Sequence, residues 1–253
     1  MTTRTDLPYL RRRSLRTLPP PAAPKVDTVH HEPKAHAPAA PAVSSSLDLS
    51  TPLPAKKKAA PPPLKKLAVR RLTGSEVLSP KQPTVRLTRV QSGIGALTVE
   101  AACSDAVGDL RLGVAFRLKA GTSSVVQQGV PDGPARSPRP VLHAGRQRFE
   151  TVTVDLAQVT DVDRLAFYAY SPTGAALSWG GTLVVTTYGG SRVELPMDGP
   201  AGPGVVVLLT VYNVDGELVL RAEPWELHPT VRDAALAFGF DRITWLDPST
   251  PAT

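Results

Sequence analysis

Along residues 109–128 apolar and polar side chains alternate. Leu110, Leu112, Val114, Phe116 and Leu118 fall on one side, and Arg111, Gly113, Ala115, Arg117 and Lys119 fall on the other. Successive strand side chains point to opposite faces, so this pattern predicts a half-buried strand with a wet, basic outer face. Lys119 to Thr122 supplies a turn, and Ser124-Val125-Val126 starts a returning strand. The hairpin is long enough to lie at the centre of a sheet.

The same alternation recurs on both sides of it. Val85, Leu87 and Arg89 alternate with Arg86, Thr88 and Val90, and Leu97, Val99 and Ala101 with Thr98 and Glu100. Residues 129–148 are rich in Gly, Pro, Arg and Ser and read as a long loop. Beyond it, Val152, Val154 and Leu156 face in while Thr151, Thr153 and Asp155 face out. Leu165, Phe167 and Ala169 mark another strand, and Gly pairs then lead into TLVVTTY and SRVELPM. The run from Val205 to Val214 is apolar on both faces, which suits an interior strand. Asp215-Gly216 is a strong hairpin signal. One helix is expected near the end, over 228–238, with Thr230 as its cap, Asp233 in its first turn and Gly239 after it. RITWL, residues 242–246, reads as a short closing strand. Many short strands, regular turn signals and one short C-terminal helix predict an all-β sandwich.

Composition divides the chain. Residues 1–85 hold 15 of the 27 prolines and 15 Lys or Arg against five Asp or Glu, a net charge of +10. Residues 86–253 hold 14 basic and 17 acidic residues, a net charge of −3. The expected organisation is a disordered basic tail rich in Pro, Ala and Lys over 1–83, a sandwich over 84–247 and a C-terminal tail over 248–253. Residues 1–18 read either as a solvated basic arm or as a short amphipathic helix for an acidic surface. Lys56-Lys57-Lys58, Lys65-Lys66 and Arg70-Arg71 suit phosphates or anionic lipids, and equally suit a solubilising spacer. His30, His31 and His36 beside Glu32 fit no closed metal pattern. Cys103 is the only cysteine, so no disulfide forms within the chain. No apolar run approaches a membrane span, and the N-terminus has no signal-peptide core. A cytoplasmic protein is expected.

Catalytic signatures are missing. There is no phosphate-binding P-loop and no GxSxG elbow. His143 lies in the loop, and His228 precedes the helix without a nucleophile near it in sequence. Cys103 reads as a packing residue. Trp179, Trp225 and Trp245 read as core or rim aromatics, with a rim platform for carbohydrate or another small ligand as the alternative. The expectation is a non-enzyme without a small-molecule substrate.

The order of the pieces carries a resemblance. LTVEAA is followed by DLRLGVAFRL with SSVVQQG, then by VTVDLAQVTDVDRLAFYAYSPTGAALSW and GTLVVTTYGGSRVELPMDGP. VVVLLTVYNVDGELVLRAE, AFGF and ITW come last. Over roughly residues 84–247 this resembles the TerD domain of bacterial tellurium-resistance and stress-response proteins, in particular the TerA-like branch. The resemblance implies a β-sandwich that binds calcium through a D-x-D strand and a Gly-Asp-rich loop. It also implies a scaffold working with other proteins of the same stress-response system.

Here the first Asp of that strand is Asp109, but the second position is Arg111. The loop reads LHAGRQRF, with His143, Arg146 and Arg148 at its acidic positions. Hard divalent cations need several oxygen ligands, so calcium binding is expected to be lost and the site around Asp109 to be vestigial. Asp105, Asp109 and Asp132 are the candidates for a displaced site. Arg111, Arg117, Arg136, Arg139, Arg146 and Arg148 form the opposite candidate: Arg111, Arg146 and Arg148 above all would contact an anion or an acidic partner. Solvated loop arginines are the plain reading of the same residues. The tail would add contacts to an anionic membrane, at the inner membrane surface, or to nucleic acid.

Overall fold

The computed structural model describes residues 69–252. In chain order its strands are β1 (Ser75–Val77), β2 (Thr84–Arg86), β3 (Ala96–Ala102), β4 (Arg111–Leu118), β5 (Ser123–Val126), β6 (Asp132–Gly133) and β7 (Leu142–Arg146). They continue with β8 (Glu150–Asp155), β9 (Val162–Tyr170), β10 (Thr182–Thr187), β11 (Arg192–Pro196), β12 (Val205–Val214), β13 (Glu217–Ala222) and β14 (Leu227–His228). Two helices, α1 (Arg89–Gly93) and α2 (Val231–Ala237), join them. One sheet runs β1-β11-β10-β3-β8-β7-β6, and the other runs β2-β13-β12-β9-β4-β5 with β14 beside β12.

The inward side chains of both sheets form one core. Leu97, Val99, Val152 and Val154 come from the first sheet, and Leu112, Val114, Phe116, Leu165 and Phe167 from the second. Each such side chain contributes roughly 1.5–3 kcal/mol by leaving water. β12 lies between β9 and β13 and is buried on both faces, as its apolar run predicts. The Asp215-Gly216 turn takes positive φ at both residues, 54° and 83°, as a two-residue hairpin of this kind requires. Thr230 caps α2 by accepting from the Asp233 amide, and Gly239 leaves the helix at φ 75°.

Five expectations are corrected. The outer face of β4 is not wet: Gly113 and Ala115 are buried with Tyr168, Val125, Phe240 and Ile243. The segment after α2 covers this face, and an added Cβ at Gly113 would stand 2.5 Å from the Tyr168 ring. Arg117 on the same face is tied to Asp163 at 2.5 Å. The body also starts before residue 84. Leu72 and Leu78 are core, and β1 pairs in parallel with β11. At the other end Pro251 is buried and bridges Trp245, so 248–252 packs back and 242–246 makes only that bridge, not a strand. The stretch 129–148 contains β6 and β7, not a loop alone.

α1 was not expected. Thr88 accepts from the Gln91 amide while the Gln91 side chain accepts from the Thr88 amide, a reciprocal cap that starts the helix where the strand alternation would have continued. The tail clusters before residue 69, including His30, His31 and His36, lie outside the described residues. Arg70 and Arg71 are within them and pair with Glu76 and Glu217. Among the described residues no helix is long and apolar enough to cross a membrane.

Candidate functional site

The site lies where the two sheets meet at the start of β4. Gly108, at φ 104°, ends a short 3-10 turn over Asp105–Val107 and aims Asp109 and Leu110 into the strand. Arg111, the first residue of β4, then reaches four acceptors. Its Nη2 lies 2.7 Å from Asp109 Oδ1, and its Nη1 3.4 Å from Glu150 Oε1 on β8. Its Nε donates to Gln128 Oε1 at 3.2 Å, and Nη1 also reaches the Leu110 carbonyl at 3.4 Å. Arg111 and Glu150 belong to different sheets, so their pair joins the sheets.

Glu150 is shared. Arg146 on β7 sits opposite it in register and places Nη1 3.5 Å from the same Oε1. Burial pushes the Glu150 carboxyl above its ordinary range, and Arg111 and Arg146 only partly offset this. Tyr170 stands beside Arg111 across β4 and β9, and burial raises its phenol to about 12. Arg111, Gln127, Gln128, Arg146 and Glu150 line a cleft of about 400 Å³.

The other candidates are dispersed. Arg148 lies over the Phe149 ring at 5.1 Å and lines a second groove of about 530 Å³ with Cys103, Gly180 and Gly181. Burial pushes the Cys103 thiol up, which lowers its thiolate population. Arg139 pairs with Asp155, and Arg117 with Asp163. The six arginines therefore do not converge; Arg111 and Arg146 alone share a partner. Asp132 is held by His143 at 2.7 Å, and Asp105 opens the 3-10 turn, so the displaced acidic site is not assembled. His228 is buried with its ring edge-on to Phe238. Trp179 is buried and packs edge-on against Trp225 at 5.0 Å, so the two rings cover each other and do not form a rim platform.

These residues do not fit calcium. The ion takes about six to eight oxygen ligands. Here the two nearest carboxylates are already spanned by a guanidinium. Among the described residues no group of three or more His, Cys, Asp or Glu stands where an ion could be held. Sequence reasoning overlooked Glu150, although the signal was present. Glu150 is in phase with the inward Val152 and Val154, and a carboxylate on an inward face requires a cation.

No protein-family model matches the chain, and no curated protein matches it either.

Proposed function

We propose that the chain is a non-enzymatic binding or scaffold module of the tellurium-resistance and stress-response kind that its motif order resembles. In it, Arg111 stands as a fixed cation where that family holds calcium. The observation that carries this reading is the Arg111 guanidinium set between Asp109 and Glu150. A guanidinium is always charged and cannot be withdrawn by a chelator, so the junction of the sheets stays closed at any calcium level. The module would then work through its surface contacts rather than through an ion. Other proteins of the same stress-response system are the expected partners. The basic residues of the N-terminal segment would serve as the anchor to an anionic surface on the cytoplasmic side.

Calcium titration calorimetry on the full chain tests the reading. No binding heat is expected. Micromolar binding would overturn it and would require Arg111 to leave the two carboxylates.

A further inference from the structure

Beyond Ile243, which is buried in the outer cluster, the chain closes on itself. The Leu246 amide donates to the Thr250 carbonyl at 2.9 Å, and the Ala252 amide to the Thr244 carbonyl at 2.8 Å. Asp247 Oδ1 accepts from the Ser249 and Thr250 amides at 2.7 and 2.8 Å, and Trp245 bridges Pro251. Residues 244–252 are thus a compact surface loop with its ends tied together. Among the described residues two hydrogen bonds fasten it to the body. The Arg232 amide donates to the Pro248 carbonyl at 3.0 Å, and Gln127 Nε2 donates to the Ser249 carbonyl at 2.7 Å. Pro251 is buried, whereas Leu246 is 74% exposed. The Trp245 indole N–H is buried with no hydrogen-bond partner among the described residues.

Gln127, which holds this loop, stands next to Gln128, which holds Arg111. Gln127 is 5% exposed, and its Oε1 accepts from the Tyr168 hydroxyl at 2.7 Å. Gln128 Oε1 accepts from Arg111 Nε at 3.2 Å, and the Gln128 amide donates to the Tyr170 phenol. The Tyr168 and Tyr170 rings are themselves in contact, with centroids 5.7 Å apart. Two routes therefore run from Ser249 to Arg111, one along the backbone from Gln127 to Gln128 and one through the two tyrosine rings. Gln127, Gln128 and Arg111 also share the cleft of about 400 Å³.

We propose that residues 244–252 are a strap that controls the Arg111 junction. Seated, the strap fixes Gln127 through the Ser249 carbonyl, and Gln128 then clamps Arg111. Lifted, it leaves the buried Gln127 amide without its acceptor. Gln127 turns toward water and carries Gln128 away from Arg111 Nε. Arg111 keeps Asp109 and Glu150, so the junction loosens and the cleft beside it widens without the sheets parting. A buried donor without an acceptor destabilises the state that buries it, and lifting returns the Trp245 N–H to water. Few contacts have to break together, which places the strap among the first parts of the fold to open. The strap is therefore a two-state element that bears on both ends of the route, as coupling between distant groups requires. The proposal rests on the Arg111 reading and names what regulates that junction. Calcium calorimetry tests the junction itself, and the coupling can fail while the junction stands.

Hydrogen exchange at the Arg111 Nε proton, followed by NMR on the full chain, tests it. Pro251→Ser removes the seat of the strap and should speed that exchange at least ~10-fold. Amides of β3 and β10, in the other sheet, should keep their parent rates. In a Gln127→Leu background, which cuts the route, Pro251→Ser should add less than ~2-fold, as for uncoupled sites. Asp247→Ala loosens the exposed turn of the strap without touching the core, and should speed the Arg111 exchange in the same direction. It carries the test alone if Pro251→Ser does not fold. An Arg111 rate unmoved by these strap variants would overturn the proposal. So would an equal acceleration with and without Gln127, or one shared by β3 and β10, which would mean general loosening.

Discussion

Arg111 on one sheet faces Glu150 on the other at 3.4 Å, and the pair ties the two sheets together where β4 begins. Both side chains are largely withdrawn from water, 16% and 13% exposed. Removing one partner of such a pair costs more than removing its charge, because the other is left uncompensated. Arg111→Leu should lower the unfolding free energy by about 2–3 kcal/mol, since Arg146, on the rim, cannot reach Asp109 as well. Glu150→Gln keeps a hydrogen-bonding group and leaves Arg111 its Asp109 partner, and should change stability by less than about 1 kcal/mol. Denaturant unfolding of the two variants measures the asymmetry. Equal losses would show that the pair, not the burial, dominates.

The pH dependence has a sign. Burial raises the Glu150 carboxyl above its ordinary 4.5, so the folded state holds that proton more tightly than the unfolded chain does. The contribution of Glu150 is fully present below 4.5 and is lost as pH rises through the raised value. Asp155 runs the other way. The Gln158 hydrogen bond holds it below its ordinary 3.8, so its contribution is present above 3.8 and is lost as pH falls. The stability of Glu150→Gln relative to the parent chain should therefore improve as pH climbs past 4.5. Parallel pH profiles for the two proteins would contradict this.

Tyr168 is the plug of the covered outer face. Its hydroxyl donates to Gln127 Oε1 at 2.7 Å, and Gln127 Nε2 donates to the Ser249 carbonyl at 2.7 Å. Gly113→Ala would drive a methyl into the ring and should cost about 1–3 kcal/mol. Tyr168→Phe leaves a buried amide oxygen unpaired and should cost about 1 kcal/mol. Thermal unfolding of both variants checks the values.

Leu78 decides where the body starts. It is fully buried. Leu78→Ala should cost about 2–5 kcal/mol, as in any packed core. A change within about 0.5 kcal/mol, the value for a surface position, would return residues 69–83 to the tail.

The fold was legible wherever one face of a strand met the core and the other met water. β3, β8, β9 and the β12–β13 hairpin follow directly from alternation and Asp215-Gly216. Legibility failed where a third layer intervened. Arg111, Gly113, Ala115 and Arg117 read as a wet face because nothing in β4 reveals that Tyr168 and the segment after α2 lie over it. β1 was missed because its three residues carry too short a pattern and follow a Pro-rich stretch. At the site, Asp109, Arg111 and Arg146 were legible as charge. Arg148 was misplaced because a turn between β7 and β8 directs it to the opposite groove.

Thermal unfolding of the full chain with and without millimolar calcium, beside the Arg111→Leu variant, tests the built-in cation most directly. The parent chain should melt at the same temperature in both conditions, and the variant should melt lower without calcium. A calcium-dependent rise in the parent midpoint, or a variant as stable as the parent, would contradict a guanidinium in the role of the ion.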